Sequence, residues 1–488
     1  MASQNTIGRV CAGCMGPRLR CCTNCCAVVV ALLAIGIGLL VAIIPTPTFP
    51  GLPSEYHPHR PLPIVLLNAL GGLFGDRLLS VPTEEAAIRS ACKAAKLPAD
   101  ATCTVDVPGE DTEWREGLRR LLRSYKEDAN LTALGKVIAT GQTETWLKAR
   151  ARLIHAWSRL PDGSLAAQSV DRPILIVGLP RTGTTFLLNL LKQDPALRTP
   201  LHWELVEPIP GEGEPPLGDA HVGKIQGLLD QYMQLLPGIE KWHPMSATMA
   251  EECVVTLAHA FSSMLFEATF DVSSYNRWLV GLDAHAHAHA FRWHRMLLQF
   301  LQDREGIAHA VPGRRWVLKT PWFSHGPVLE AALAEYPNAL VIQTHRDPSV
   351  VVGSSASIHV RTYGAGSDMV DAATIGASQL SLMETLVESN QATRRRWRAE
   401  KPWLSRRIAD VQLAELKRDP LAAVAKVYKQ LGLELKDEVK SAMQAWLATK
   451  QVDHGKHKFE LADFGLSAKS VAERPVFRRY CEEYRLDC

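Results

Sequence analysis

The sequence lacks an excess of charge of either sign. Its 54 lysines and arginines against 51 aspartates and glutamates leave a net charge of +3, which argues against nucleic-acid binding through bulk positive charge. A mean hydropathy of −0.04 excludes a protein with many membrane spans. The content of 47% hydrophobic and 22% charged residues excludes a mainly disordered or fibrous chain. At 488 residues we expect one large domain with accessory segments.

Long hydrophobic runs are also scarce, and the chain has one. Residues 27–44 (AVVVALLAIGIGLLVAII) are eighteen consecutive residues without a charge. At about 1.5 Å per residue they nearly cross a hydrocarbon core of roughly 30 Å. A cleaved signal peptide is the alternative, but its apolar region would be about 7–15 residues long and a small-x-small cleavage site would follow. PTPTFPG follows instead, so we predict an uncleaved transmembrane anchor.

The residues before this run predict its orientation. Residues 1–26 contain Arg9, Arg18 and Arg20 and no acidic residue. The positive-inside rule therefore places the amino terminus in the cytosol and the bulk of the chain across the membrane. We expect a single-pass protein whose main domain faces the lumen of the Golgi or another endomembrane compartment.

Six of the eleven cysteines lie in residues 11–26. Cysteines beside basic residues at a membrane favour S-acylation, which indicates a cytosolic cysteine-rich tail over residues 1–26. A zinc knuckle is the alternative, because Cys11 and Cys14 have CxxC spacing, but a clear second pair is missing.

Four of the cysteines after the apolar run are spaced to form disulfides instead. In an oxidising lumen, Cys92–Cys103 and Cys481–Cys488 would each close a short loop. The one Asn-x-Ser/Thr sequence, at Asn130, would lie on the same side of the membrane.

Three segments follow the apolar run. Residues 45–82 begin with seven prolines up to position 63 and predict a stiff, extended stem. Within it, residues 64–74 are too short to span a membrane and would lie at the membrane interface or dock on the main domain. Residues 83–165 predict a helical extension, because apolar residues recur there at three- and four-residue steps.

The pattern changes to strands in the remaining domain, residues 170–488. ILIVGL (174–179) is a short, continuous, β-branched apolar run that precedes a glycine-containing turn and a helical pattern. ALVIQTH (339–345) is a second such run. Fully apolar strands indicate a parallel sheet that is covered on both faces, and so an α/β fold.

A phosphate-binding loop follows the first strand. Residues 178–185 read GLPRTGTT, with the spacing of the motif GxxxxGK[ST] but with Thr184 in the place of the lysine. A nucleoside triphosphatase needs that lysine and a Mg²⁺ site. Arg181 supplies a cation within the loop instead, so we expect a phosphate or sulfate ester to bind without a nucleoside triphosphate.

The motif IVGLPRTGTTFL resembles the 5′-phosphosulfate loop of sulfotransferases that use 3′-phosphoadenosine 5′-phosphosulfate (PAPS). A second motif agrees: THRDP places Arg346 at the end of a strand, and Ser354 follows eight residues later, as in the 3′-phosphate site of this family. The resemblance covers about residues 170–470 and includes RTPLHWELVEP, HPMSATMAEE, RWVLKTP and GKHKFELADFGL. It implies a P-loop NTPase-like three-layer fold with a central parallel sheet, and PAPS as cosubstrate.

The resemblance also assigns donor-binding residues. The residues that match the loop around the 5′-phosphosulfate are Arg181, Thr182, Gly183, Thr184 and Thr185. The residues that match the 3′-phosphate site and the late basic segment are Arg346, Ser354 and Lys456.

Catalytic roles follow from the same comparison. Lys319, at the end of a strand in LKTP, resembles the lysine that stabilises the bridging oxygen of the donor. Glu204 is the predicted general base, because a carboxylate in an apolar pocket gains basicity, and His202 is the alternative base. Further candidates for the base are Glu207, Glu251, Glu252 and His243.

We expect neither a metal nor a nucleic acid. His285, His287 and His289 alternate with alanine, and residues two apart on a helix do not share a face. The basic run 392–401 reads as a solvated helix face.

The predicted partner is a hydroxylated acceptor. Residues 240–294 are rich in apolar side chains and carry no run of basic residues, which favours a lipid or small hydrophobic alcohol over a polyanion. Sulfation of a glycan or of protein tyrosine is the alternative. A P-loop kinase or ATPase and a non-catalytic binding protein are the rival functions.

Overall fold

The computed structural model describes residues 49–75, 79–108, 112–161, 163–303, 314–449 and 458–488. The cysteine-rich tail (1–26), the anchor (27–44) and Lys456 lie outside these ranges, so the predictions for them remain predictions. Within the described ranges, no helix combines the length and the hydrophobicity needed to cross a membrane.

A five-stranded sheet forms the centre of the molecule, and every pair of neighbouring strands is parallel. The strands are β1 (Ile174–Val177), β2 (Leu197–Arg198), β3 (Arg315–Lys319), β4 (Leu340–His345) and β5 (Ile408–Gln412). Their order is β2-β3-β1-β4-β5, so β1 lies between β3 and β4. Both predicted apolar runs are strands, and the predicted central parallel sheet is confirmed.

Helices cover both faces of the sheet because the side chains of β1 alternate between two cores. Leu175 and Val177 pack into one hydrophobic cluster, whereas Ile174 and Ile176 pack into another on the opposite face. All four are fully buried. A strand that is buried on both faces must be apolar at every position, which is why the sequence shows a continuous run here.

The helices before β1 are α1 (Leu62–Phe74), α2 (Glu84–Ala95), α3 (Glu113–Glu127), α4 (Ala133–Trp157) and α5 (Ser164–Ala167). Those between β1 and β3 are α6 (Thr184–Leu191), α7 (His202–Val206), α8 (Asp219–Leu235), α9 (Val254–His259), α10 (Ser273–Val280) and α11 (Ala284–Asp303).

The later helices are α12 (Gly326–Glu335), α13 (Pro348–Gly366), α14 (Ala372–Glu400), α15 (Pro402–Ser405), α16 (Leu413–Arg418), α17 (Pro420–Gln430), α18 (Asp437–Thr449), α19 (Ala468–Ala472) and α20 (Pro475–Tyr484). Short 3₁₀ turns lie at Ser54–Tyr56, Ile239–Lys241, Pro321–Ser324 and Leu461–Phe464.

The helical extension shares its core with the sheet. The apolar face predicted on α3 is buried, and Trp114, Leu118 and Leu121 belong to the same hydrophobic cluster as Leu175 of β1. Residues 83–165 therefore fold as part of the main domain.

The prediction of an extended stem was wrong for residues 49–61, whereas residues 64–74 dock on the main domain, which is one of the two placements predicted for them. Phe49 and Tyr56 are buried against α13, in a cluster with Val360 and Tyr363. Residues 62–74 form α1, which docks on α4. Large aromatic side chains among the prolines gain more free energy by burial than an extended segment gains from solvation.

Both predicted disulfides are present. Cys92 and Cys103 have Cα atoms 5.8 Å apart, and those of Cys481 and Cys488 are 6.4 Å apart. Cys253 is a buried free thiol.

A buried ion network joins α4 to the segment after α7. Arg152 donates from Nη1 to Glu207 Oε1 (2.8 Å) and from Nη2 to Glu214 Oε1 (2.9 Å), and Lys148 Nζ donates to Glu207 Oε2 (2.9 Å). Burial alone would raise the pKa of Glu207, but these cations and Lys224 outweigh burial and lower it. Glu207, a candidate base in the sequence, is therefore held ionised in a structural network.

We expect Arg152→Met to lower the free energy of unfolding by roughly 3–5 kcal/mol, because it removes a fully buried partner of a buried carboxylate. Urea unfolding of the detergent-solubilised protein measures this. Arg119→Met is the matched control: its pairs with Glu84 and Glu116 are half-exposed and contribute about 0–1 kcal/mol. Equal losses in both variants would contradict a stabilising role for the network.

Candidate active site

The loop between β1 and α6 is shaped by two glycines. A Cβ atom at Gly178 would lie 2.1 Å from Thr344 Oγ1 and 2.7 Å from Thr182 Oγ1, so no larger residue fits there. Gly183 has a φ of 90°, which residues with a side chain rarely adopt. It leads directly into α6, whose first backbone N–H groups have no partners within the helix and are available to an anion.

The structure brings the two predicted donor-binding motifs together. Arg346, directly after β4, donates from Nη1 to the carbonyl oxygen of Arg181 at 2.8 Å, across 165 positions of sequence. Arg181 in turn donates from Nε to Ser354 Oγ at 3.2 Å and from Nη1 to the carbonyl oxygen of Trp242 at 2.6 Å. The loop, the end of β4 and the first half of α13 therefore surround one site.

Thr182 holds this arrangement in place. Its hydroxyl donates to the carbonyl oxygen of Leu179 (2.7 Å) and lies 2.6 Å from the hydroxyl of Thr344 on β4. Thr182 and Thr184 are both buried. These two threonines shape the loop, whereas Thr185 points toward Lys319.

Two guanidinium groups share this site without a dedicated carboxylate. Burial lowers the pKa of Arg181, with a further contribution from the charge of Arg346, and burial also lowers the pKa of Arg346. The nearby carboxylates are engaged elsewhere: Glu252 pairs with Lys319, and Asp347 accepts hydrogen bonds from Ser349. The charge of Glu252 offsets part of the effect at Arg181, and that of Asp347 offsets part of it at Arg346. Positive charge that is partly withdrawn from water favours an anionic ligand.

Lys319 lies where the sequence predicts, at the carboxyl end of β3. Its side chain is buried, and Nζ donates to Thr185 Oγ1 at 3.0 Å and forms an ion pair with Glu252. The lysine therefore faces the first turn of α6, beside the loop that would hold the donor.

The structure does not support Glu204 as the general base. One carboxylate oxygen accepts from Arg198 Nη2 at 3.0 Å, and the other accepts from the backbone N–H of Leu201 at 2.9 Å. The side chain is fully buried, so both oxygens are occupied in holding β2 to the start of α7. The apolar surroundings that suggested basicity are those of a structural ion pair.

His202 and Glu251 form a pair at the site. An antiparallel bridge between Leu201 and Ala250 brings the two segments together, and His202 Nδ1 lies 2.6 Å from Glu251 Oε2. Burial alone would raise the pKa of Glu251, but the hydrogen bond from His202 and the charges around it bring the pKa to about 2. Because the carboxylate is ionised, His202 donates this hydrogen bond from Nδ1, and the neutral imidazole in this orientation has its lone pair on Nε2.

His243 completes this side of the site. Burial lowers its pKa, while the charges of Glu251 and Glu252 act in the opposite direction and those of Lys319 and Arg181 act with burial. These electrostatic couplings show that the histidine, the acid pair and the two donor-side cations share one region. The sequence indicates all of these residues but favours Glu204 over His202, and His202 over Glu251, Glu252 and His243.

Trp242 was not anticipated. Its carbonyl oxygen holds Arg181, and its side chain is buried in a small apolar cluster with Leu236 and Ile239. The sequence around this tryptophan does not indicate that its backbone carbonyl orients the guanidinium of Arg181.

The late segment that contains Lys456 is described only from residue 458. Phe459 packs on α13 so closely that a Cβ atom at Gly353 would lie 2.4 Å from the phenylalanine ring. Gly353 precedes Ser354, so Phe459 packs on the same turn of the helix as the predicted 3′-phosphate ligand.

The apolar residues between the two motifs are mostly core, which corrects the evidence for an apolar acceptor pocket. Leu257, Phe261, Phe266 and Phe270 are buried in the main hydrophobic cluster. Phe261 packs against Trp114 of α3. Their hydrophobicity therefore stabilises the domain and does not identify an acceptor.

No group of three or more His, Cys, Asp or Glu residues is placed to hold a metal ion, as far as the structure describes the chain. His287 packs edge-on against Trp322, and His289 Nδ1 donates a 2.9 Å hydrogen bond to the carbonyl oxygen of Ala286.

Comparison with known proteins gives a consistent result. A model of the sulfotransferase family matches residues 173–437, more than half of the chain. The crystal structure of sulfotransferase STF1 from Mycobacterium tuberculosis H37Rv is 32% identical and has a TM-score of 0.66, over 81% of this chain and 98% of that one. Sulfotransferase STF9 from Mycobacterium avium, 24% identical with a TM-score of 0.68 over 83% and 97% of the two chains, has the same fold.

No curated protein matches the chain. The family match nevertheless includes both the loop at 178–185 and the pair Arg346 and Ser354. The chain belongs to the sulfotransferase family.

Proposed function

We propose that the protein transfers the sulfuryl group of PAPS to a hydroxyl group of an acceptor. The observation that carries this proposal is the pair of partly buried guanidinium groups, Arg181 and Arg346, which adjoin Ser354 and lack a dedicated carboxylate. PAPS supplies an activated sulfuryl group and carries phosphates at two positions. The residues present fit such a ligand, because cations and backbone N–H groups converge from three strand ends.

The site residues divide between the two ends of the reaction. Lys319, with Thr185 beside it, lies where negative charge on the leaving phosphate would be neutralised. His202, oriented by Glu251, would accept the proton of the acceptor hydroxyl at Nε2. Arg181 and Arg346 position the donor for an in-line displacement.

A P-loop kinase or ATPase is less well supported. Thr184 stands where the loop lysine would contact the phosphates. The acidic residue of the sheet, Asp410 on β5, accepts hydrogen bonds from Arg394 and pairs with His345. Its carboxylate is therefore engaged and is not positioned as a Mg²⁺ ligand.

The membrane topology remains the one that the sequence predicts: amino terminus in the cytosol, catalytic domain in the lumen of the Golgi or another endomembrane compartment. The two disulfides support it, because cytosolic thiols are kept reduced. Asn130 supports it as well, since the side chain is exposed in the turn before α4.

The acceptor is best matched by a lipid or another small hydrophobic alcohol. Residues 240–294 carry no run of basic residues, and this absence supports the choice, since the apolar cluster of Leu236, Ile239 and Trp242 is itself buried. A polyanionic glycan would favour basic side chains in this position.

Arg346→Ala should weaken PAPS binding by roughly 2–5 kcal/mol, because the bound phosphate loses a cation at a partly desolvated position. Isothermal titration with PAPS and with its desulfated product measures the change. Arg474→Ala is the control, since Arg474 is exposed and pairs with Glu384. Wild-type affinity in the Arg346 variant would remove the basis of the donor assignment.

His202→Ala should reduce turnover about 10²–10⁴-fold with PAPS binding unchanged, because the proton acceptor is lost. Glu204→Gln should instead lower the free energy of unfolding, because it leaves Arg198 without its partner. Single-turnover kinetics and urea unfolding of both variants separate the roles. An inactive Glu204 variant of normal stability would restore Glu204 as the base.

The topology predicts that residues 80–488 resist protease added to sealed vesicles and that glycosidase shifts the mobility of the wild-type protein. Asn130→Gln should abolish the shift. Thr132→Ser should keep it, because serine preserves both the sequon and the cap that Thr132 provides to Gly135 N–H. Cleavage of the domain in sealed vesicles would contradict the lumenal placement.

Incubation of membranes with sulfur-labelled PAPS, followed by partition between organic solvent and water, tests the acceptor. Label should enter the organic phase and should be absent with the His202→Ala variant. Label confined to polysaccharide or protein would indicate a glycan or tyrosine acceptor instead.

A further inference from the structure

Helix α1 presents its leucines to solvent and its polar residue to the protein. None of its thirteen residues is charged. Leu62, Leu70, Leu73 and Phe74 are exposed by 48%, 43%, 73% and 56%, and at 100° per residue they fall within one arc of the helix. A surface helix of a soluble domain has the opposite arrangement.

Two contacts hold α1 in this orientation. Asn68 Oδ1 accepts a hydrogen bond from the backbone N–H of Leu134, at the start of α4, at 2.9 Å. Gly71 lies against Ala133, and a Cβ atom at Gly71 would be 2.4 Å from that of the alanine. If the helix rotated to bury its leucines, the hydrogen bond between Asn68 and Leu134 would break. Side chains larger than that of Gly71 would then face Ala133 at this short distance.

The apolar surface continues beside the helix. Met369 is 73% exposed and follows Asp368, which forms an ion pair with Arg60 just before α1. Val137, 45% exposed, lies one turn after Ala133 on α4. Of the eight large hydrophobic side chains that are exposed in the described ranges, four lie on α1 and these two lie next to it.

The preceding chain places this surface near the apolar run 27–44. Phe49 is buried, and its ring lies against Gly364, whose carbonyl oxygen accepts from Arg60 at 3.1 Å. Five Cα-to-Cα steps separate residue 44 from Phe49, and they span at most about 17 Å. The start of α1 is therefore fixed close to the point where the predicted anchor ends.

We propose that the exposed face of α1, with Met369, inserts into the interfacial layer of the membrane that residues 27–44 are predicted to span. This inference rests on the proposed anchor. A lipid surface fits better than a second copy of the chain, because the short tether keeps the bilayer beside this face at all times and the face carries no charged group to pair with a partner.

Insertion would also fix the position of the donor site. Helix α13 runs from the predicted 3′-phosphate site to the contacts with Phe49 and Arg60. Ten residues separate Ser354 from Gly364, which is about 15 Å along a helix axis. The site would therefore stay near the bilayer surface, within reach of a hydroxyl at the level of the lipid head groups.

Site-specific photocrosslinking in the full-length chain tests the proposal. Leu73 and, as a matched control, Leu228 of α8, which is 51% exposed, are each replaced by a benzophenone amino acid. The variants are reconstituted into phosphatidylcholine vesicles with radiolabelled acyl chains and irradiated. Label should couple at position 73 and not at position 228. Absence of lipid label at position 73, or crosslinking of two copies there, would overturn the proposal.

Two further measurements distinguish a failure of α1 to insert from loss of the anchor or of the folded donor site. Resistance to carbonate extraction reports the anchor alone, and the thermal shift with PAPS reports the folded donor site of each variant. A chain that resists carbonate and binds PAPS but shows no lipid label at position 73 would refute the insertion of α1 and leave the anchor and the proposed activity intact.

Discussion

The placement of cations at the ends of parallel strands is the constraint on which this molecule depends. Arg181 follows β1, Lys319 ends β3 and Arg346 follows β4, so three positive groups converge at one edge of the sheet. Among the described residues, Lys319 forms an ion pair with Glu252, whereas Arg181 and Arg346 donate to backbone carbonyl oxygens and a hydroxyl group. The withdrawal of charge from water costs free energy, and in the function that we propose the phosphates of the donor would offset this cost. In a protein that bound no anion, the same buried cations would lower the stability of the fold.

The local sequence was sufficient to predict the donor-binding half of the site. A β-branched run followed by GLPRTGTT specifies strand, tight turn and helix within about twelve residues, and the close contacts at Gly178 explain why the pattern tolerates little change. The link between Arg346 and Ser354 is also local, since Arg346 lies two residues before the helix that carries Ser354 in its first half. Such features depend on neighbours in the chain, which a sequence displays directly.

The general base could not be identified from local sequence in this way. The choice between Glu204 and His202 depends on what each side chain meets in space. Glu204 meets Arg198 and the start of its own helix, whereas His202 meets Glu251, 49 positions later. The same limit applies to the run 257–270, whose aromatic residues suit an acceptor pocket or a core equally well until Trp114 is seen beside Phe261.

Helix α13 connects the chemistry to the amino-terminal segment. Its first half carries Ser354, and its last turns receive Phe49, Tyr56 and the guanidinium of Arg60. One helix therefore contacts both the amino-terminal segment and the predicted 3′-phosphate site. In the topology that we propose, these contacts would hold the predicted donor site at a fixed height above the membrane, and the position of an acceptor would then matter as much as its shape.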